Sequence, residues 1–282
     1  SCFSRPESRR GTSSFTPARS SWYSWGRRRA WWGLPVGTGG GVALLEVHRL
    51  SKAFGGLKAL REVGFAAAEG EVLGVIGPNG SGKSTLFNII AGALPPTSGT
   101  VAFAGEIITG RPPWEICRRG IGRTPQIPVL FPELTCLENV LLGAAFGCRR
   151  QRLPVSIARQ EAMAALETVG LAGLATVPAP HLSLGQTKLL ELAMALAASP
   201  RLLLLDEPTA GLSPVAVKVV LAVLRALRER GLTLLLIDHK LRVVSEIASR
   251  ILALDQGEII AESSPAEVTR HPRVLKAYLG EA

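Results

Sequence analysis

The stretch Gly77–Thr85 contains residue types at a spacing that suits the binding of phosphate groups. It reads G-P-N-G-S-G-K-S-T and fits the pattern G-x-x-x-x-G-K-[ST]. Glycines allow the backbone to curl so that successive N–H groups point inward at phosphate oxygens. Lys83 would bring a positive charge to the β- and γ-phosphates, and Ser84 would offer a hydroxyl to Mg²⁺. The stretch therefore predicts a loop that binds the phosphates of a nucleotide.

Acidic residues follow an apolar stretch further along the chain. Leu202–Glu207 reads L-L-L-L-D-E, which is typical of a buried parallel strand that ends in carboxylates. Such a strand would deliver Asp206 beside the phosphate loop, where it could hold Mg²⁺ through water, and Glu207 could polarise an attacking water. His239 follows the next apolar stretch, Thr233–Ile237. It would therefore lie at the same carboxyl edge of the sheet, where ligands bind in such folds.

A second candidate anion site lies at the start of a predicted helix. Leu182–Gln186 reads L-S-L-G-Q, and Ser183 is a candidate N-cap for a helix that runs to about Ala198. A hydroxyl together with the free N–H groups of the first helical turn can bind an anion. Two other residues carry little signal alone: Gln126 is polar in an otherwise apolar stretch, and Phe54 precedes a turn.

The elements around these residues predict an α/β fold. Glu71–Ile76 is a short apolar strand, and the phosphate loop leads into a helix over about residues 84–91. Strands and helices then alternate, which indicates a parallel core. Short strands with glycine turns over residues 44–65 favour an antiparallel β layer beside that core. Helical spacing predicts a helical subdomain over about residues 127–195.

Residues 1–41 differ in composition from the rest of the chain. They are rich in Arg, Ser, Gly and Trp and hold seven arginines against one acidic residue, Glu7, whereas residues 42–282 carry 25 basic and 21 acidic residues. Three interpretations stay open: a disordered basic leader, an Arg- and Ser-rich transit peptide, or translated upstream sequence with the true start near Val42. Residues 42–282 are expected to form the nucleotide-binding domain. Because this part is only mildly basic, we expect no nucleic-acid partner.

The cysteines and the hydropathy pattern exclude two further classes of protein. The sequence has four cysteines, none of which forms a C-x-x-C pair: Cys2, Cys117, Cys136 and Cys148. Their spacing therefore does not indicate a metal site, and a reduced, cytosolic compartment fits them best. Every apolar stretch of 18 or more residues contains at least one charged residue, so we expect no membrane-spanning helix.

Taken together, the motifs resemble the ATP-binding subunit of ATP-binding-cassette (ABC) transporters over about residues 44–282. The resemblance implies a P-loop nucleoside triphosphate hydrolase core with an antiparallel β layer and a helical subdomain, and it implies ATP and Mg²⁺ as ligands. The catalytic residues would be Lys83, Gln126, Glu207 and His239, and the metal ligands would be Ser84, Gln126 and Asp206. The nucleotide would contact an adenine-stacking aromatic residue, the phosphate loop and the signature, namely Phe54, Gly77, Pro78, Asn79, Gly80, Ser81, Gly82, Lys83, Ser84, Thr85, Ser183, Gly185 and Gln186.

Two positions depart from the family's pattern. The signature has Leu184 where the family usually carries Gly, but it keeps Ser183 and Gly185, the pair that faces phosphate. We therefore expect function to survive this change. Pro125, before Gln126, replaces what is often an aromatic residue, which puts the usual mobility of this loop in question.

Three stretches resemble the importers of branched-chain amino acids within this family. They are F-G-G-L-K-A-L from Phe54, L-F-P-E-L-T-C-L-E-N-V-L from Leu130, and A-Y-L-G-E-A at the end of the sequence. The resemblance implies ATP hydrolysis that powers import of branched-chain or other hydrophobic amino acids, by a peripheral subunit at the cytoplasmic face of the cell membrane. Importers of urea or another small solute look alike and remain an alternative.

The resemblance also implies partners, because one chain would contribute the phosphate loop and another Ser183 and Gly185. We expect a homodimer, or a heterodimer with a second ABC ATPase. We also expect transmembrane permease subunits and, indirectly, a periplasmic or extracellular solute-binding protein.

Two rival functions stay open. A non-transport ABC ATPase acting on DNA or ribosomes commonly has two cassettes or a long coiled-coil insert, which this chain lacks. A module that binds nucleotide without hydrolysis is disfavoured by Glu207 and His239.

Overall fold

The computed structural model describes residues 43–124, 129–147 and 154–279, and in these ranges the chain forms ten β-strands and nine α-helices. The strands are β1 (Ala43–Phe54), β2 (Leu57–Ala68), β3 (Val72–Ile76), β4 (Ser98–Phe103), β5 (Glu106–Ile107), β6 (Ile121–Thr124), β7 (Leu202–Asp206), β8 (Thr233–Ile237), β9 (Arg250–Asp255) and β10 (Glu258–Ser263). The helices are α1 (Lys83–Ile90), α2 (Pro113–Arg118), α3 (Cys136–Phe146), α4 (Val155–Thr168), α5 (Leu184–Ala197), α6 (Pro214–Glu229), α7 (Leu241–Ile247), α8 (Pro265–Val268) and α9 (Pro272–Leu279). The leader predicted at residues 1–41 lies outside the described ranges.

Six strands form the central sheet, in the order β10-β9-β3-β8-β7-β6. Neighbours from β9 to β6 are parallel, and β9 and β10 form an antiparallel hairpin at one edge. All five residues of β3, of β7 and of β8 are buried, as expected for parallel strands that are covered on both faces. This arrangement brings the carboxyl ends of β3, β7 and β8 to one edge of the sheet.

Alternate residues of the central strands enter two hydrophobic cores. Leu202 and Leu204 belong to a core shared with α1 and the antiparallel strands, whereas Leu203 and Leu205 belong to a core shared with α5, α6 and α7. The alternation follows from the two-residue period of a β-strand. Because both faces of β7 are buried in a core, this strand requires an apolar run with no polar face.

A second sheet contains four strands in the order β2-β1-β4-β5 and is antiparallel throughout. It forms the β layer that the glycine turns predict. Helices α3, α4 and α5 pack against one another. They fall within residues 127–195, the range predicted for the helical subdomain, except that α5 extends to Ala197; the bounds of the subdomain stay a prediction. Within the described ranges, the longest apolar helix falls short of what a membrane crossing needs.

Three short elements lie where the sequence pattern predicts none, namely β5, β6 and α7. Strand β6 has only four residues and one glycine, and its backbone is held by pairing with β7, where Ile121 lies opposite Leu202. Helix α7 has seven residues and no side-chain hydrogen bond at its N-cap, Lys240. Tertiary pairing and packing, rather than local propensity, stabilise such short elements.

Candidate functional site

The phosphate loop joins β3 to α1 and is tightly packed at both of its ends. Gly77 and Gly82 have φ values of +153° and +104°, which favour glycine. A Cβ on Gly77 would collide with the carbonyl oxygen of Leu254, and a Cβ on Gly82 would lie 2.5 Å from the carbonyl oxygen of Ala59. The two fixed glycines of the motif are therefore required by space as well as by backbone conformation.

The turn between β9 and β10 connects this loop to the antiparallel sheet. The Gly257 N–H donates to the Ser81 carbonyl oxygen at 3.1 Å, and the Gly257 carbonyl accepts from the Arg61 N–H at 2.8 Å. Gly257 has a φ of +83°, and a Cβ there would lie 2.8 Å from the Ala59 carbonyl oxygen. One turn residue thus fixes the position of the loop relative to two sheets.

Lys83 is the first residue of α1 and points back into the loop. Its side chain is only 5% exposed, and its Nζ donates to the carbonyl oxygens of Gly77 at 2.8 Å and Pro78 at 2.7 Å and to Ser81 Oγ at 3.3 Å. Burial lowers the pKa of Lys83, and the negative charges of Glu207 and Asp206 oppose that change. The loop thus holds a cation that can exchange oxygen ligands for those of a phosphate.

Asp206 ends β7 and is 2% exposed. Its Oδ2 pairs with the Arg123 guanidinium at 3.2 Å, and Arg123 also donates to Asn88 Oδ1 at 2.7 Å. Oδ1 of Asp206 is buried and receives no hydrogen bond from any described residue. Burial raises the pKa of Asp206, while the Arg123 charge acts in the opposite direction. Arg123 and Asn88 were missed by sequence reasoning because neither belongs to a motif.

Glu207 follows directly and adopts a left-handed backbone conformation, with φ of +51°. Non-glycine residues rarely adopt this conformation, and its occurrence at a reactive centre is a recognised form of stored strain. The Glu207 N–H donates to the Ile237 carbonyl of β8 at 2.8 Å. Its carboxylate Oε1 lies 2.5 Å from Nε2 of His239, whose side chain is 46% exposed. The structure therefore pairs the predicted base with the predicted histidine.

The segments that follow β7 and β8 are also tied to each other. The Thr209 hydroxyl donates to Asp238 Oδ2 at 2.6 Å, and Asp238 Oδ1 accepts from the Lys240 N–H at 3.0 Å. Thr209 and Asp238 are buried. This buried pair supports the backbone on both sides of the contact between Glu207 and His239.

The signature lies at the exposed start of α5. Ser183 and Gln186 form a capping box, in which the Ser183 N–H donates to Gln186 Oε1 at 2.9 Å and the Gln186 N–H donates to Ser183 Oγ at 3.4 Å. Leu184 is 49% exposed. None of the hydrogen bonds found for Ser183 or Gln186 reaches the phosphate loop, so within one chain the structure does not join these two predicted sites.

The remaining predicted residues have simpler surroundings. Pro78, Asn79 and Gly80 lie in the loop, and Ser84 and Thr85 lie in the first turn of α1, where Ser84 is exposed. Phe54 ends β1 and is 48% exposed, and Lys52 Nζ lies 5.1 Å from its ring centroid. Gly185 is the second residue of α5 and lies beside Ala216. Gln126 and Pro125 lie outside the described residues.

The donor set fits Mg²⁺ better than a metal held by protein ligands alone. No group of three or more His, Cys, Asp or Glu side chains that could hold a metal occurs among the described residues. The unpartnered Oδ1 of Asp206 and the hydroxyl of Ser84, an exposed residue, supply oxygen atoms at the loop. Mg²⁺ commonly takes one or two protein oxygens and completes its shell with water and substrate phosphates.

The packing around Gly77 gives a test of the loop's construction. We expect Gly77→Ala to lower the free energy of unfolding by about 2–4 kcal/mol, because the methyl group must displace the Leu254 carbonyl. Gly55→Ala is the matched control: Gly55 has φ of +58° and open space around it, so the loss should be about 1 kcal/mol. Urea denaturation of both variants measures the difference. Equal losses would show that backbone conformation, not packing, demands glycine at position 77.

Two family models match the chain. The one described as "ABC transporter" matches residues 60–210, more than half of the sequence, and the one described as "Branched-chain amino acid ATP-binding cassette transporter" matches residues 258–282. The first match contains the phosphate loop, the signature and the two carboxylates, and the second contains β10, α8 and α9. The family and the subgroup that the motifs predict are both confirmed.

Curated relatives cover most of the chain. The high-affinity branched-chain amino acid transport ATP-binding protein BraF of Pseudomonas aeruginosa is 39% identical over 251 residues, which are 85% of this chain and 98% of BraF. LivG of Escherichia coli, of the same description, is 37% identical with the same coverage. The lipopolysaccharide export system ATP-binding protein LptB of Acidithiobacillus ferridurans is 36% identical over 240 residues, 84% of this chain and 97% of LptB.

Solved structures of cassettes have the same fold. The ADP conformation of an ATP-binding cassette from an ABC transporter is 34% identical, with a TM-score of 0.76, over 85% of this chain and 100% of that one. A dimeric cassette in a post-hydrolysis state, bound to ADP and Pi, is 31% identical, with a TM-score of 0.70, over 78% and 98%. The predicted fold class and the predicted class of enzyme, an ATPase, are confirmed. The chain therefore belongs to the ABC transporter family, as one of its ATP-binding cassettes.

Proposed function

We propose that this cassette hydrolyses ATP at the phosphate loop to power the import of branched-chain or other hydrophobic amino acids. The observation that carries the proposal is the meeting of three segments at one edge of the central sheet. Lys83 interacts with the charges of Asp206 and Glu207, and Glu207 lies 2.5 Å from His239. BraF and LivG, which the chain resembles over almost their full length, support the choice of solute.

In the proposed reaction, water attacks the γ-phosphate in line with the departing ADP oxygen. Glu207 accepts the proton of that water, and its left-handed backbone and its contact with His239 hold the carboxylate in place. Lys83 releases its loop oxygens and neutralises charge on the β- and γ-phosphates. His239, through its exposed ring, steadies the γ-phosphate.

Mg²⁺, when bound, would neutralise further charge on the phosphates. We assign Asp206 and Ser84 to hold it, together with Gln126. Asp206 suits this role because one carboxylate oxygen is buried without a partner and the other is fixed by Arg123. We assign Phe54, whose ring is exposed at the end of β1, to stack on the adenine.

We further propose that two chains share each site, so that Ser183, Gly185 and Gln186 of one chain face the phosphate loop of the other. The partner is a second copy or a related ABC ATPase. The exposed capping box, whose hydrogen bonds do not reach the loop of the same chain, supports this arrangement, as does the dimeric cassette of similar fold. Permease subunits would bind the dimer at the cytoplasmic face of the membrane, and a solute-binding protein would act through them.

Mixing two inactive variants tests the shared site. Lys83→Ala disables the phosphate loop of the chain that carries it. Ser183→Arg leaves that loop intact but disables the signature that the chain contributes to the site of its partner. We expect each variant to be inactive alone and the equimolar mixture to recover up to about a quarter of wild-type ATPase turnover, because half of the dimers are mixed and each of those holds one intact site. A mixture as inactive as its components would contradict the shared site.

The solute is tested by transport. The full chain is co-expressed with the permease subunits and the solute-binding protein with which it co-purifies. Vesicles that contain this complex should take up labelled leucine in an ATP-dependent manner. Uptake should stop with Glu207→Gln and persist with Glu229→Gln, which changes an exposed carboxylate at the end of α6. Uptake of urea without uptake of leucine would favour the alternative importer, and lipid export would favour a role like that of LptB.

A further inference from the structure

The C-terminal helix contacts the first residue of the phosphate loop. Tyr278 lies in α9, 201 residues after Gly77, and its hydroxyl oxygen accepts a hydrogen bond from the Gly77 N–H at 2.8 Å. The Gly77 carbonyl accepts from Lys83 Nζ at 2.8 Å. Both backbone polar groups of Gly77 are therefore bound by side chains, one from α1, the loop's own helix, and one from α9.

Gly77 needs an acceptor that the sheet does not provide. The last residue of β3 paired with β8 is Val75, opposite Ile237, and the last one paired with β9 is Ile76, opposite Ala253. Gly77 follows this last pair and is buried, so its N–H would be left without a partner once the strand ends. Buried N–H groups are nearly always paired, and Tyr278 is the partner that the structure supplies.

Packing fixes the direction from which Tyr278 reaches the loop. Val274, one helical turn earlier, is 2% exposed and belongs to the core beneath the central sheet. Residues four apart lie on the same helix face, so the anchoring of Val274 places Tyr278 on the side of α9 from which its hydroxyl reaches Gly77, although the residue stays 38% exposed. Burial raises the pKa of Tyr278, and the Gly77 hydrogen bond opposes that change. The phenol is therefore neutral at physiological pH.

We propose that Tyr278 is a positioning residue for ATP binding, because it holds Gly77 in the conformation from which the loop surrounds the phosphates. The proposal rests on the proposed role of this loop in binding ATP. Without the phenol oxygen, the Gly77 N–H must find water or another acceptor, and the loop spends part of its time in conformations that do not bind. Apparent affinity falls by the fraction of chains in the competent conformation.

Tyr278→Phe tests this, since it removes one oxygen and keeps the ring. We expect the dissociation constant for ADP and the KM for ATP to rise about 3- to 10-fold, the equivalent of one lost hydrogen bond, while kcat at saturating ATP stays unchanged. Amide hydrogen exchange at Gly77 should become about tenfold faster or more. Arg273→Ala, at an exposed position of the same helix, should leave all four quantities at their wild-type values.

The outcomes separate positioning from general destabilisation. A lower kcat at constant KM would indicate loss of folded protein and would overturn the proposal. Unchanged exchange at Gly77 would overturn it as well, because the contact would then not exist in solution. If the wild type itself bound neither ADP nor ATP, the proposed function would fail together with Tyr278's role in binding. The exchange rate in Tyr278→Phe would still show whether Tyr278 holds the loop.

Discussion

Replacing Glu207 with Gln should leave ATP binding intact and lower the turnover of ATP by about 10²- to 10⁴-fold. The amide has nearly the shape of the carboxylate but cannot accept a proton from the attacking water. It can still face His239 Nε2, which lies 2.5 Å from the carboxylate in the wild type. Glutamine also tolerates the same backbone conformation about as well as glutamate, so the strain at φ of +51° is not changed by the substitution. Release of phosphate and equilibrium binding of ATP, measured side by side, test the prediction.

Glu229→Gln is the control for Glu207→Gln, because it removes an equal charge from an exposed position. Its turnover should match the wild type. Near-normal turnover of Glu207→Gln would show that another group takes the proton. Loss of ATP binding in this variant would instead show that the carboxylate orders the site.

Lys83→Ala should lower ATP turnover by about 10²- to 10³-fold, the range seen when one charge-stabilising donor is lost from an active site. Nucleotide binding should weaken as well, because the ammonium faces the loop oxygens in the ground state. Removing it leaves the carbonyls of Gly77 and Pro78 without the donor they now share. ATPase assays and binding of ADP measure the two effects separately.

Lys83→Arg distinguishes charge from shape. Arginine keeps the positive charge, but its planar, branched head is poorly suited to a position where the native lysine is only 5% exposed and surrounded by loop oxygens. We expect it to be impaired almost as strongly as Lys83→Ala. Lys58→Ala, at an exposed position of β2, should keep wild-type turnover. Full activity of Lys83→Arg would mean that only the charge at this position matters.

The sequence predicts those parts of the fold and site that depend on local pattern. The run from Leu202 to Leu205 predicts a strand covered on both faces, because a surface strand needs a polar side. The spacing of glycines before Lys83 predicts the loop, because only glycine can satisfy both its φ values and its packing. Ser183 is predicted as an N-cap because its hydroxyl can pair with a free N–H three residues later.

Contacts between distant segments could not be predicted in this way. The ion pair of Arg123 with Asp206 joins strands 83 residues apart, and the hydrogen bond of Tyr278 with Gly77 joins segments 201 residues apart. Neither partner has a local pattern that specifies the other. The capping box also shows the limit of motif reading, because it does not reveal whether the signature serves its own chain or another.

The position of Gly257 bears on when the phosphate loop can form during synthesis. The loop occupies residues 77–82, yet Gly257 supplies the N–H that holds Ser81 and the carbonyl that holds Arg61. A nascent chain must therefore be synthesised at least as far as Gly257 before these restraints exist. Domains of this kind fold as units rather than residue by residue. Chains that stop before Gly257 would accordingly lack these restraints on the phosphate loop, so we expect ATP to bind well only once synthesis has passed this turn.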